Sequence, residues 1–182
     1  MVAAVTDDGA ERWGVDEFAP ESPYTLMSPA EVRAWYAYMK VHLRLRYEMN
    51  HQLRVEFGLS LADYDVLIAL ISERDASMTI TGLAVRIGWE RSRVSHQVKR
   101  MADRGLVQMA VDEDDRRSTR VSMTALGKSS LGSASVCHAD LVRTAFLDAL
   151  DEGELSLFAS MLERMFDRLI EHGTMPRPND HP

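Results

Sequence analysis

The stretch "LAVRIGWERSRVSHQVKRM", residues 83–101, decides how the chain is read. It opens as a short apolar helix, turns at Gly88, and continues as a second helix whose composition divides by face. With a start near Glu90 and 100° per residue, Val94, Val98 and Met101 fall on one side. Ser92, Ser95, His96 and Lys99 point roughly away from that side, and Arg93 and Arg100 lie along one edge. Such a face suits a DNA major groove. An arginine forks onto guanine, a serine tolerates any base, and a histidine donates to either acceptor. A surface helix that happens to be basic competes with this reading, and charge alone does not separate the two.

The flanking segments do. Gly105 closes the second helix, and the period then changes from helical to alternating: Val107, Met109 and Val111 on one run, Val121 and Met123 on the next. This spacing predicts a two-stranded hairpin whose turn is the charged "VDEDDRR" of 111–117. Upstream, "SPAE" (28–31) reads as a helix start with Ser28 as N-cap and Glu31 closing a capping box. Val32, Trp35, Tyr36, Met39 and Leu43 then recur at helical spacing, in a helix running towards Gly58. Ser60 caps a second helix, and Thr81 is the expected cap of the short third, "ITGLAVRIG". Downstream, Thr124 caps a helix through about Leu150. "DEGE" (151–154) starts another, on which Leu155, Phe158, Leu162, Met165 and Leu169 form a heptad-like stripe that needs a partner surface. Helices followed by a hairpin make a winged helix-turn-helix layout.

At the level of motifs, "LAVRIGWERSRVSHQVKRMADRGLV" followed by "DDRRSTRVSMTALGK" resembles the MarR family of bacterial transcription regulators, over about residues 59–128. The resemblance implies a mainly α fold with a small β-hairpin wing. A winged helix-turn-helix DNA-binding lobe (59–123) would be joined to dimerisation helices at 28–58 and 124–173, with an acidic, loosely ordered arm (1–27) and a short tail (174–182). It implies a homodimer on double-stranded DNA, most simply a repressor relieved by a small anionic or aromatic effector, at a pseudo-palindromic operator. The recognition helix (90–104) would offer Arg91, Ser92, Arg93, Ser95, His96, Lys99 and Arg100. In the wing (111–121), Arg117 matches the arginine that enters the minor groove, Asp115 the aspartate that orients it, and Arg116 lies beside them on phosphate or solvent. Trp35, Tyr36, His42, Arg46 and Tyr64 are the candidate effector-lining residues. Trp89, Glu90 and His96 depart from the usual pattern, which bears on the target sequence rather than on the mode of binding.

Bulk composition sets limits on the alternatives. The 182 residues carry a formal net charge of −7, with 46% hydrophobic and 27% charged residues, ordinary for a globular protein. Residues 86–120 nevertheless hold nine Lys/Arg against six acids, an excess of three, so the remainder carries −10. The distribution of charge, not its sum, admits nucleic acid as partner. No apolar run is long enough to span a membrane and no secretory leader is legible, so a cytoplasmic location is expected. The lone Cys137 cannot form an internal disulfide. It reads as a packed residue, with a redox sensor as the alternative. The six histidines lack metal-ligand spacing, so neither metal nor cofactor is expected. Nor is a catalytic site, because no nucleophile elbow, phosphate loop or zinc-protease motif occurs. A winged helix that binds only protein remains the alternative of a different class.

The acids Asp112, Glu113 and Asp114 exceed what the wing needs, and they read first as solvated. If they instead repel phosphates, the combined variant Asp112→Asn/Glu113→Gln/Asp114→Asn should bind non-specific DNA more tightly in a titration with random-sequence duplex. Unchanged affinity would count against electrostatic tuning.

Overall fold

A computed structural model describes residues 18–113 and 115–179 of the chain. The described helices and strands are α1 (Pro29–Phe57), α2 (Leu61–Ile71), β1 (Ser77–Thr79), α3 (Ile80–Ile87), α4 (Arg91–Asp103), β2 (Val107–Val111), β3 (Thr119–Met123), α5 (Ala125–Ala145) and α6 (Glu152–His172). Short 3₁₀ turns sit at Pro23–Leu26 and Leu147–Ala149. The chain forms two compact units, one ending at Tyr47 and the other beginning at Glu48, so the boundary falls inside α1. Most of the expected arm, residues 1–17, lies outside the described residues, as do Asp114 and residues 180–182.

The first unit contains the start of α1. The Ser28 hydroxyl and backbone N–H both donate to the Glu31 carboxylate, at 2.7 and 2.8 Å. The hydroxyl bond, with the backbone bond behind it, holds that carboxyl below its ordinary value. This is the capping box read from "SPAE", and it satisfies N–H groups the helix cannot. Exposed aromatic residues follow along the helix, with Tyr38 stacked on His42 at 5.5 Å between centroids.

The second unit is built round one apolar core. Leu53, Leu59, Val66, Leu67, Leu70, Leu83, Val94, Val98, Met101 and Val121 are fully enclosed. Ser60 caps α2 in a second box with Asp63. Gly88 takes the left-handed conformation at φ 67° that ends α3, a backbone position where a side chain would be strained. The three strands form an antiparallel sheet in the order β1-β3-β2, with Met78 opposite Val121 and Met109 opposite Val121 on the other edge.

Three expectations need correction. The cap of α3 is Thr79, not Thr81. Thr79 ends β1 in an extended conformation, so its hydroxyl accepts the Gly82 N–H at 3.0 Å. The hairpin gains a third strand, β1, too short at three residues to show an alternating period. And α5 stops at Ala145 rather than near Leu150. Phe146 leaves helical geometry and sets its ring edge-on against Phe158 of α6, at 5.8 Å. The residues of the expected stripe all lie on α6, and no residue of α6 is buried in the single chain. The expected tail is tied down at its start, where Arg177 pairs with Asp167 at 2.5 Å.

The T-x-x-G of "TALG" (124–127) has a steric reason. The Thr124 hydroxyl donates to the Gly105 carbonyl at 2.6 Å and accepts the Gly127 N–H at 3.0 Å, locking α5 to the end of α4. A β-carbon on Gly127 would stand 2.1 Å from the Leu106 carbonyl oxygen. Alanine would gain up to about 1 kcal/mol of helix propensity, but backbone cannot yield to a contact that short. The clash should win, and Gly127→Ala should destabilise the lobe by about 2–3 kcal/mol net in denaturant unfolding.

Candidate nucleic-acid interface

The interface starts from the fixed side of α4. Val94, Val98 and Met101 pack inward as their spacing requires, and the helix thereby turns Arg91, Ser92, Arg93, His96, Lys99 and Arg100 outward. Ser95 is half-buried. The α3–α4 turn is tightened by the Trp89 N–H, which donates to the Ala84 carbonyl at 2.9 Å. The Trp89 ring, 8% exposed, belongs to the core. The Arg93 guanidinium lies over it, 4.0 Å from its centroid.

One member of α4 was missed by its spacing. Gln97 is only 3% exposed, and its amide donates to Asp63 at 2.7 Å. Asp63 (2% exposed) also accepts the Ser60 hydroxyl and N–H and the Arg104 guanidinium, the last at 2.8 Å. Arg104 reaches on to the Gly58 carbonyl at 2.7 Å, and Arg100 donates to the Gln97 amide oxygen. Recognition helix, α2 cap and the end of α1 are thus joined through one carboxylate. Arg54, Arg100 and Arg104 border an open cleft of about 460 Å³ beside it. A buried polar partner spaced like an apolar residue gives no signal in a hydrophobicity pattern.

In the wing, Arg116, Arg117 and Asp115 are exposed, and Asp112 is not. Asp112, 3% exposed, takes the Arg120 Nε at 2.6 Å and the Asp115 N–H at 3.0 Å. Arg120 also donates to the Ser77 hydroxyl, which donates in turn to Asp75 at 2.7 Å and holds that carboxyl below its ordinary value. The solvated reading of Asp112 is therefore wrong, because this carboxylate is the buried root of the wing. Glu113 is exposed as expected, and Asp114 lies outside the described residues. The Asp115 carboxylate accepts the Arg117 N–H at 3.0 Å, and the Asp115 carbonyl accepts the Ser118 N–H at 2.8 Å. It acts on Arg117 by shaping the turn that carries it.

The candidate effector-lining residues do not share one element. Trp35, Tyr36, His42 and Arg46 lie on α1 in the first unit. Tyr64 lies on α2 in the second, its ring 4.3 Å from that of His138 on α5. Nothing in the sequence pointed to His138, one of six scattered histidines. It is buried, and its Nδ1 has no hydrogen-bond partner among the described residues. Cys137 beside it is exposed, contrary to the packed reading, since α5 turns its buried face through Leu131, Ala134 and His138. Among the described residues no group of three or more His, Cys, Asp or Glu is placed to hold a metal ion. No described helix is long and apolar enough to cross a membrane.

A short helix, a second helix with a polar outer face, and a sheet ending in a cationic turn define the winged helix-turn-helix class of fold. The family model described as the MarR family matches residues 57–118. The HTH-type transcriptional repressor YetL of Bacillus subtilis is 26% identical over 125 residues, 67% of this chain and 74% of its own. AbsC of Streptomyces coelicolor, a MarR family transcriptional regulator, superposes with a TM-score of 0.75 at 27% identity, over 80% of this chain and 98% of its own. Sco3205 of the same organism, solved in complex with DNA, gives 0.78 at 24%, over 83% and 95%. Over residues 57–118 the chain is thus similar to the MarR family, and over most of its length to solved transcriptional regulators of that family.

Burial pushes the His138 imidazole below its ordinary pKa. Below about pH 6.5 the unfolded chain takes up a proton that the folded chain resists, so stability should fall as pH falls through that range. In His138→Leu this acid-side loss should shrink, as read from denaturation midpoints across pH.

Proposed function

We propose that the protein is a homodimeric repressor that binds a pseudo-palindromic operator and is released by a small anionic or aromatic effector. One observation carries the DNA-binding part. The outward face of α4 is a continuous set of cations, hydroxyls and an imidazole, held rigid by its buried side and flanked by the Arg116–Arg117 wing turn. Arg91, Ser92, Arg93, Ser95, His96, Lys99 and Arg100 would meet the major groove. Arg117 would enter the adjacent minor groove, where a narrow A·T-rich tract concentrates negative potential. Arg116 would take a phosphate.

The dimer reading rests on uncovered apolar side chains. Leu162, Met165 and Leu169 of α6 are exposed in the single chain, as are Trp35, Tyr38 and Leu43 of α1. A monomer seldom leaves so much apolar surface in water. On this reading 28–58 and 124–173 dimerise and 59–123 binds DNA, with half-sites about one helical turn apart. DNA as partner and a single unpaired cysteine both fit the cytoplasm. Repression takes its support from the relative YetL, a repressor. The effector reading rests on the family resemblance alone.

The test is a binding isotherm on duplexes selected from a randomised library, repeated across salt. Log affinity should fall with log salt by about 0.9 for each phosphate contacted. A flat plot would identify a protein-binding winged helix instead. Arg117→Ala should weaken duplexes with A·T-rich flanks most, and wild-type binding by that variant would overturn the wing assignment. A monomeric mass in sedimentation at micromolar concentration would overturn the dimer.

A further inference from the structure

We propose that Trp89 is a positioning residue for base recognition: its ring is the platform that fixes the direction in which Arg93 presents its donors to the groove. This deepens the DNA-binding reading and rests on it.

The platform is rigid for reasons independent of Arg93. The indole is enclosed in the core of the lobe, and the backbone on either side is fixed by the left-handed Gly88 and by the Trp89 N–H bond to Ala84. Arg93 stands one helical turn later on the exposed face of α4, where a free arginine would sample many rotamers. Instead its guanidinium carbon sits 4.0 Å from the ring centroid, at van der Waals contact with the π face. A guanidinium is planar and all five of its N–H donors lie in that plane. Held over the ring by its central carbon, the guanidinium turns at most one edge to the indole and keeps further donors for a base. Ordering that would otherwise be charged against binding is already done in the free protein.

A packing role alone makes a different prediction. If Trp89 only fills the core and Arg93 only covers it, weakening the stack lowers stability and affects all DNA sequences alike. If Trp89 aims Arg93, weakening the stack lowers discrimination between sequences, and only while Arg93 is present.

The experiment measures the ratio of affinities for a duplex selected from a randomised library and for its scrambled counterpart, at one salt concentration, with the full chain. Arg93→Ala should lower the ratio. Trp89→Leu should lower it about fivefold, and Trp89→Phe, which keeps a ring in the core, should lower it less. In the Arg93→Ala background, Trp89→Leu should change the ratio no further. Should Trp89→Leu fail to fold by circular dichroism, Trp89→Phe carries the comparison in both backgrounds. An unchanged ratio for the Trp89 variants alongside a reduced one for Arg93→Ala overturns the positioning role alone. An equal drop with and without Arg93 overturns it too, in favour of packing. An unchanged ratio for Arg93→Ala overturns the base-reading assignment of Arg93 and the positioning role with it.

Discussion

Asp63 is a carboxylate removed from water at the first turn of α2, and the lobe is arranged round the need to satisfy it. A buried charge without partners costs several kcal/mol. Here Ser60, Gln97 and Arg104 supply donors from the α2 cap, the recognition helix and the residue that ends that helix. Hydrophobic burial of Val94, Val98 and Met101 brings α4 to the core but is indifferent to small rotations. Hydrogen bonds between fixed donors and acceptors are not. The bond from Gln97 therefore sets the rotation of α4 about its axis, and with it which side chains point outward.

The wing repeats the device at a smaller scale. Four acids before two arginines look wasteful beside DNA, yet the buried one anchors the turn. Asp112 binds Arg120 across the hairpin and the Asp115 N–H ahead of it, and Asp115 in turn holds the Arg117 N–H. Order passes from the sheet to the tip through two carboxylates, the buried Asp112 and the exposed Asp115. The opposite charges at this turn therefore divide by job, with Asp112 and Arg120 pairing internally and Arg116 and Arg117 remaining outside.

Much of this was legible in one dimension because the signals are local and periodic. The faces of α4, the box at Ser28, the start of α6 at "DEGE", Ser60 as cap, and the hairpin all follow from residues within a few positions of one another. What escaped depends on partners distant in the chain. β1 is a strand only because β3 pairs with it, and that pairing makes Thr79 rather than Thr81 the cap of α3. α5 ends early because Phe146 finds Phe158. Gln97 and Asp112 are polar by type and buried by contact, so the spacing passed over the first and the second was read as solvated.

The sequence by itself determined the class of fold, the order of its elements, and the cationic character of the face on α4, since each rests on residue type and spacing along one helix or hairpin. Tertiary structure alone decided which polar groups are spent on holding that face in place. Asp63, Gln97, Arg104, Asp112 and Arg120 acquire their roles only when chain segments tens of residues apart come within hydrogen-bond distance. Trp89 shows both levels in one residue: its departure from the family pattern was visible in the sequence, and the arginine lying over its ring was visible only in the fold.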